Sequence, residues 1–317
     1  MQVDALTRKS SLLAMLLLLI LGVATLVRTQ LLPYGAEVAV SPFFERTASY
    51  VVALLITLVG GLVMGRVFLQ SGLSKGFCTL PIPIYGVLLC GIFVSPNLLE
   101  YVLSSFCFAF AVLLLMRSLN YPDEKNSIFF GSIFLGIVPL LLPQGAVTMA
   151  ILPVMVLLFA LSLRQVVIMV AGYALPLLFA SYLSWYIGGD ILSVAEWIWQ
   201  GIVTPKAELF ASIPIVACVL VGYISLLLLV GGIYLLIKGD KMFLLSRVKR
   251  ALHIMIFIFV VTVATLALPS ADISLLAIIA VPTTVLLSLI LSLLPRGIST
   301  LAYWALLALT ILHLFIE

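Results

Sequence analysis

Apolar residues run along this chain in long unbroken stretches, parted by short polar segments. A helix needs about 20 apolar residues to cross a bilayer. Eleven stretches approach that length: residues 11–27, 49–69, 78–94, 98–118, 127–142, 145–163, 165–187, 210–237, 251–268, 274–294 and 299–316. Strands of an outer-membrane barrel would alternate apolar and polar positions over about 10 residues. Continuous runs predict helices instead, because a helix satisfies its own backbone groups in lipid. The pattern predicts an all-α, polytopic transmembrane bundle that forms a single membrane domain over residues 1–317.

Two boundaries are short. Ser95-Pro96-Asn97 parts the third and fourth stretches, and Pro143-Gln144-Gly145 parts the fifth and sixth. Both are turn signals and predict tight hairpins. The fifth stretch is short and carries Pro139, which predicts a tilted, kinked or re-entrant segment.

Composition agrees. Of 317 residues 64% are hydrophobic and 9% charged, against about 25% charged in a soluble domain. So few charges cannot cover a soluble enzyme of this size. A net charge of +4 is too small to serve as a nucleic-acid footprint. The four cysteines, Cys78, Cys90, Cys107 and Cys218, lie in or at the edge of apolar runs without CxxC spacing. They read as small apolar side chains, and no metal site is indicated. Arg8-Lys9 before an apolar run suggests a signal peptide, but the run exceeds the usual h-region and Arg28-Thr29-Gln30 is not a small-residue cleavage site. The first stretch is read as an uncleaved helix.

The charges test the layout. With the N-terminus in the cytoplasm, the inner side holds Arg8, Lys9, Arg66, Lys75, Arg117, Lys125, Arg164, Lys238, Lys241, Arg247, Lys249, Arg250 and Arg296. The outer side holds only Arg28, Arg46 and Lys206. Bases collect on the cytoplasmic side of membrane proteins, so this sorting predicts eleven spans, an inner N-terminus and an outer C-terminus. Acids sort the other way. Asp4, Asp123, Glu124 and Asp240 are inside, whereas Glu37, Glu45, Glu100, Asp190, Glu196, Glu208, Asp272 and Glu317 are outside. The positive-inside rule does not require that bias, so the outer acids are where function is sought.

The spans carry no clear mid-membrane charge, which speaks against an ion-coupled transporter. Glu100, near the N-terminus of the fourth helix, suits the helix dipole. His253 and His313 lie near helix ends and read as interfacial. Gly61 and Gly65 form a GxxxG pair, and Gly131, Ser132 and Gly172 are further small positions, all suited to close packing within the protein. Pro139, Pro153, Pro176, Pro214 and Pro282 read as kinks. No inverted repeat is evident.

Two outer loops are long. Residues 28–48 hold Glu37, Glu45 and Arg46 with the aromatics Tyr34, Phe43 and Phe44. Residues 188–209 contain Ile191, Leu192, Ala195, Ile198, Trp199 and Ile202 at helical spacing, with Asp190, Ser193, Glu196 and Gln200 on the other stripe. That predicts an amphipathic helix in the outer interface, with Trp197 and Trp199 as anchors. A carboxylate above a bilayer can act as a general base or hold a metal on a phosphate, and an arginine can bind a phosphate oxygen. Glu37, Glu45 and Arg46 are therefore the catalytic candidates, and Asp190, Glu196, Trp197 and Gln200 the substrate-binding candidates. The alternative is that these loops are solvated and carry no chemistry. On the inner side, the basic segment from Lys238 to Leu252 suits anionic headgroups. There is no P-loop, dinucleotide-binding glycine pattern, HExxH or nucleophile elbow. No cofactor is identified.

Leu103-Ser104-Ser105-Phe106-Cys107, then Leu115-Met116-Arg117-Ser118-Leu119 and Ser127-Ile128-Phe129-Phe130-Gly131-Ser132, resemble an uncharacterised family of polytopic inner-membrane proteins from Bacteroidota, over roughly residues 50–190. That resemblance implies a multi-pass protein of a bacterial inner membrane and brings no activity. The long outer loops after the first and seventh stretches resemble the layout of GT-C membrane glycosyltransferases, which use polyprenyl-phosphate-linked sugars. This second resemblance implies that Glu37 or Glu45 takes the catalytic place. The first loop is short for that superfamily, its usual acidic pair is not evident, and no large outer domain follows.

Three functions stay open. The first is a GT-C-like protein handling a polyprenyl- or lipid-linked glycan, or a lipid headgroup, at the outer face. The second is a non-catalytic subunit or scaffold of a cell-envelope complex, bound to other envelope membrane proteins. The third is a lipid or small-molecule transporter or flippase. The lipid bilayer is the common partner, and nucleic acid is not.

Overall fold

A computed structural model describes residues 16–17, 19–20, 22–23, 46–73, 79–92, 98–120, 125–159, 162–205, 215–242, 246–272 and 274–316. The described residues form helices and turns, with no strand among them. The helices are α1 Arg46–Gln70, α2 Pro81–Ile92, α3 Leu98–Asn120, α4 Lys125–Leu141, α5 Ile151–Phe159, α6 Leu163–Tyr186, α7 Ser193–Val203, α8 Ile215–Met242, α9 Ser246–Ala264, α10 Leu275–Leu293 and α11 Arg296–Ile316. Two 3-10 segments, Pro143–Ala150 and Thr265–Ala267, lead into α5 and follow α9. Among the described residues, six helices are long and apolar enough to cross a membrane: α1, α3, α6, α8, α9 and α10. The protein is thus a helical, multi-pass membrane protein by length and composition. Within the first predicted stretch the described residues are helical, and Gly22 lies against Leu54 of α1.

α10 is the hub. It packs on α1, α2, α3, α8, α9 and α11, and every residue from Ala277 to Leu291 is buried. A helix that is apolar all round belongs inside a bundle. Its hydroxyls turn inward on their own backbone: Thr284 donates to the Ala280 carbonyl at 2.6 Å and Ser288 to that of Thr284 at 2.6 Å. Ser299, at the start of α11, donates to the Leu291 carbonyl at 2.7 Å and holds the two helix ends together.

Small residues set the close approaches: Gly65, Gly131 and Gly172 were expected to do so, Gly60 and Gly136 were not. Tyr85 of α2 fills the space above Gly60 of α1, and its hydroxyl donates to Ser105 of α3 at 3.1 Å. Gly65 faces Ile82 of α2. Between α4 and α6, Gly172 lies against the Phe129 carbonyl and Ser132, while Gly136 lies against the Tyr173 carbonyl. Cys107 is buried and Cys218 exposed. His313, expected at an interface, is instead buried near the end of α11, whereas His253 is exposed.

One element departs from the pattern. The helix expected over 145–163 begins as the 3-10 segment Pro143–Ala150 and becomes α-helical only from Ile151. α4 stays α-helical through Pro139. Pro143 fixes the first turn, and the Thr148 hydroxyl donates to the Gly145 carbonyl at 2.6 Å, three residues back. Backbone that departs from the α-helical pattern needs protein to cover its polar groups. Gln144, Gly145 and Thr148 are buried accordingly.

α6 and α8 show the opposite exposure to α10. Only 22% of the spanning window of each is buried. Leu178, Phe179, Leu226 and Leu229 are among their exposed apolar side chains. Those faces suit lipid.

Candidate outer platform and apolar cavity

Three segments that are distant in sequence meet at one end of the bundle. The 3-10 segment Pro143–Ala150 packs against α7, α9 and the 3-10 segment Thr265–Ala267. Gln144 donates from Nε2 to the Ser270 carbonyl at 3.1 Å, across 126 positions. Gly201 of α7 sits directly on Pro143, where a Cβ would collide with the proline ring. The Ser184 and Ser193 hydroxyls, 2.6 Å apart, tie the end of α6 to the start of α7. Gly188, with φ of +96°, makes the reversal between them in a backbone region that L side chains rarely adopt. At the opposite end, Gly72 approaches Val248 of α9. Contacts thus join Pro143 with Gly201 and Gln144 with Ser270 in one cluster, and Gly72 with Val248 in another.

Beneath Gln144 the platform is polar but incompletely bonded. Ser270 and Ser274 are buried, and neither hydroxyl has a partner. Thr265 is bonded, donating to the Thr262 carbonyl at 2.5 Å. Burying an unpaired hydroxyl costs about 1–3 kcal/mol, so two within five residues mark the 265–274 turn as unusual.

α7 occupies Ser193–Val203, as its amphipathic pattern predicts. Val194, Ile198, Gly201 and Ile202 are half-buried and form its inner stripe. Leu192, Ala195, Trp199 and Val203 are exposed along one edge. Glu196, Trp197 and Gln200 are exposed as well, one helical turn apart or less. Asp190, in the turn before α7, is also exposed. Tyr182, Trp185 and Tyr186 at the end of α6 add exposed aromatic rings beside the turn that leads into α7. Aromatic rings of this kind gather where a membrane meets water.

Of the sequence-derived candidates, Asp190, Glu196, Trp197 and Gln200 thus share one exposed region. Glu37 and Glu45 lie outside the described residues. Arg46 is the first residue of α1, and its side chain also lies outside what is described. Among the described residues no three His, Cys, Asp or Glu side chains converge as metal ligands would.

A cavity of about 320 Å³ opens between α8, α9 and α10, with Leu88 of α2 at its back. None of the sequence-derived candidates lines it. Leu266 and Leu276, which flank the 265–274 turn, form part of its wall. Its only polar side chains are Ser225 of α8 and Thr283 of α10. A shallow apolar groove along α11, from Gly297 to Ala308, is formed by that helix alone.

Sequence reasoning did not single out Gln144, Ser270, Ser274 or Thr283. Gln144 was legible only as part of a turn. Thr283 was hidden behind Pro282, whose obvious meaning is a kink.

No protein-family model, curated protein or solved structure matches the chain. The case for function rests on these residues.

Proposed function

We propose that this protein spans a bacterial inner membrane eleven times, N-terminus inside and C-terminus outside, and handles a polyprenyl- or lipid-linked glycan at the outer face. The observation that carries the reading is the exposed edge of α7, where Glu196, Trp197 and Gln200 lie together on a helix docked over the bundle end. A sugar offers hydroxyl donors and a flat C–H face. A carboxylate and an amide oxygen accept from hydroxyls, and an indole packs on the flat face. Leu192 and Trp199, exposed on the adjoining edge, suit contact with lipid and would keep α7 level with the headgroups. Asp190 extends the acceptor set. Glu37 or Glu45 is the proposed base on an acceptor hydroxyl, and Arg46 the proposed phosphate ligand. The sidedness rests on the charge sorting, and the contacts of 143 with 201 and of 72 with 248 are compatible with the alternation of ends that it gives.

The test is a titration of the protein in phospholipid nanodiscs with a polyprenyl-phosphate-linked sugar, read against the same lipid without its sugar. The sugar-bearing lipid should bind at least tenfold more tightly, and Trp197→Ala with Gln200→Ala should remove the difference. Equal binding of both lipids sinks the reading.

A second reading draws on a separate observation. The wide exposed apolar faces of α6 and α8 suit a partner helix as well as lipid, as a scaffold of an envelope complex requires. A transporter or flippase draws less support. The buried side chains of the described helices are apolar, hydroxyl or amide apart from His313 near the end of α11, whereas ion-coupled pathways use buried charge.

A further inference from the structure

The basic segment that runs into α9 plays no part in the glycan reading. Between Lys238 and Arg250 the chain carries five bases, Lys238, Lys241, Arg247, Lys249 and Arg250, against one acid, Asp240. Three of the five fall within the first five residues of α9, whose first turn holds no acid. A helix start favours acids over bases, so these bases do not serve the helix itself. The structure settles which way the last of them faces. Arg250 and His253 are both exposed, and at a spacing of three they are neighbours on one face of the helix. The same face continues through the half-buried ring of Phe257 to Val260, 56% exposed, and the exposed Ala264. The other flank of this stretch, with Ala251, Ile254, Met255 and Ile258, is buried in the bundle.

Arg250 and His253 thus head a strip that is apolar for the rest of its length. From Arg250 to Val260 the helix rises about 15 Å, at 1.5 Å per residue. One leaflet contributes half of a hydrocarbon core about 30 Å thick. The strip therefore offers a cation and an imidazole donor at headgroup level, and an apolar surface one leaflet deep beneath them. A soluble acidic protein would meet Arg250 and leave Val260 and Ala264 uncovered, and a free phosphate would do the same. A zwitterionic lipid would cover the apolar part and bring its own cation to the bases. A glycerophospholipid with an anionic headgroup matches both parts of the strip.

We propose that this face of α9 binds one anionic glycerophospholipid, its phosphate held by Arg250 and His253 and one acyl chain lying along Phe257 and Val260. Lys249, half-buried beside them, adds to the positive potential. Arg250 stands near the start of α9 and the platform lies beyond its other end, so the site goes beyond the glycan reading and neither test decides the other.

The test is lipid retention. Full-length protein in a mild detergent is loaded with an equimolar mixture of phosphatidylglycerol and phosphatidylcholine with the same chains. After gel filtration the bound lipid is extracted and counted. One base near a headgroup is worth about fivefold in lipid partition, so the wild type should retain about one phosphatidylglycerol per chain, in at least fivefold excess over phosphatidylcholine. Arg250→Gln with His253→Gln, both at exposed positions, should bring the ratio near one, with monodisperse elution as the check on folding. Arg164→Gln removes an exposed base from the start of α6 and should leave the ratio unchanged. Glycerophosphoglycerol, the headgroup without chains, should not displace the lipid when added in excess. A ratio near one in the wild type overturns the site, and saturable binding of polyglutamate in that case assigns the bases to an acidic soluble partner instead. An equal fall in Arg164→Gln overturns the placement on α9 in favour of diffuse surface charge. Displacement by the free headgroup overturns the part given to the apolar strip.

Discussion

Gln144 shows how a single polar residue is placed here. It lies in an apolar stretch between a proline and a glycine, and it is buried because its amide reaches the Ser270 carbonyl. Gln144→Leu would leave that carbonyl without this donor. Hydrogen bonds between membrane helices average about 0.6 kcal/mol, and the orphaned acceptor adds to the loss. The expected outcome is about 1 kcal/mol lower stability, measured by reversible denaturation in mixed detergent. Gly201 gives a sharper case. A side chain there meets Pro143, so Gly201→Leu should lift α7 from the bundle. Hydrogen exchange over residues 190–203 should speed up by at least tenfold while α10 keeps its protection. Unchanged exchange in α7 would contradict the docking described.

The elements differ in how far local pattern determines them. Gly136 and Gly172 let α4 and α6 approach backbone to backbone. Gly172→Leu should cost about 1–3 kcal/mol through overpacking, against a near-neutral Gly222→Ala, where a Cβ meets nothing within 4 Å. The same stability assay separates the two. The long helices were legible in the sequence because an apolar run of sufficient length has one stable form in lipid. α7 was legible because its two stripes recur at helical spacing. The segment at 143–150 was not. Its 3-10 form depends on what covers it, α7 and the turn at Ser270, and both lie far away in sequence. The candidate site divides in the same way. Glu196, Trp197 and Gln200 can be read from one helix, whereas the unpartnered hydroxyls of Ser270, Ser274 and Thr283 appear only once neighbouring helices are in place.

At the scale of the molecule, the bundle is arranged around α10, with α6 and α8 presenting broad apolar faces and the platform closing one end. The sidedness is open to direct labelling. A cysteine placed at Asp190 should react with a membrane-impermeant maleimide in sealed, right-side-out vesicles, and one at Lys125 should react only after the vesicles are opened. If the platform end serves a lipid-linked glycan, the protein should leave its native membrane with that glycolipid bound. Intact mass measurement in a lipid-preserving detergent should then show a chain carrying one polyprenyl-phosphate-linked sugar, and loss of that adduct in Trp197→Ala. A chain carrying phospholipid alone, or one recovered only with other membrane proteins and no glycolipid, would contradict it.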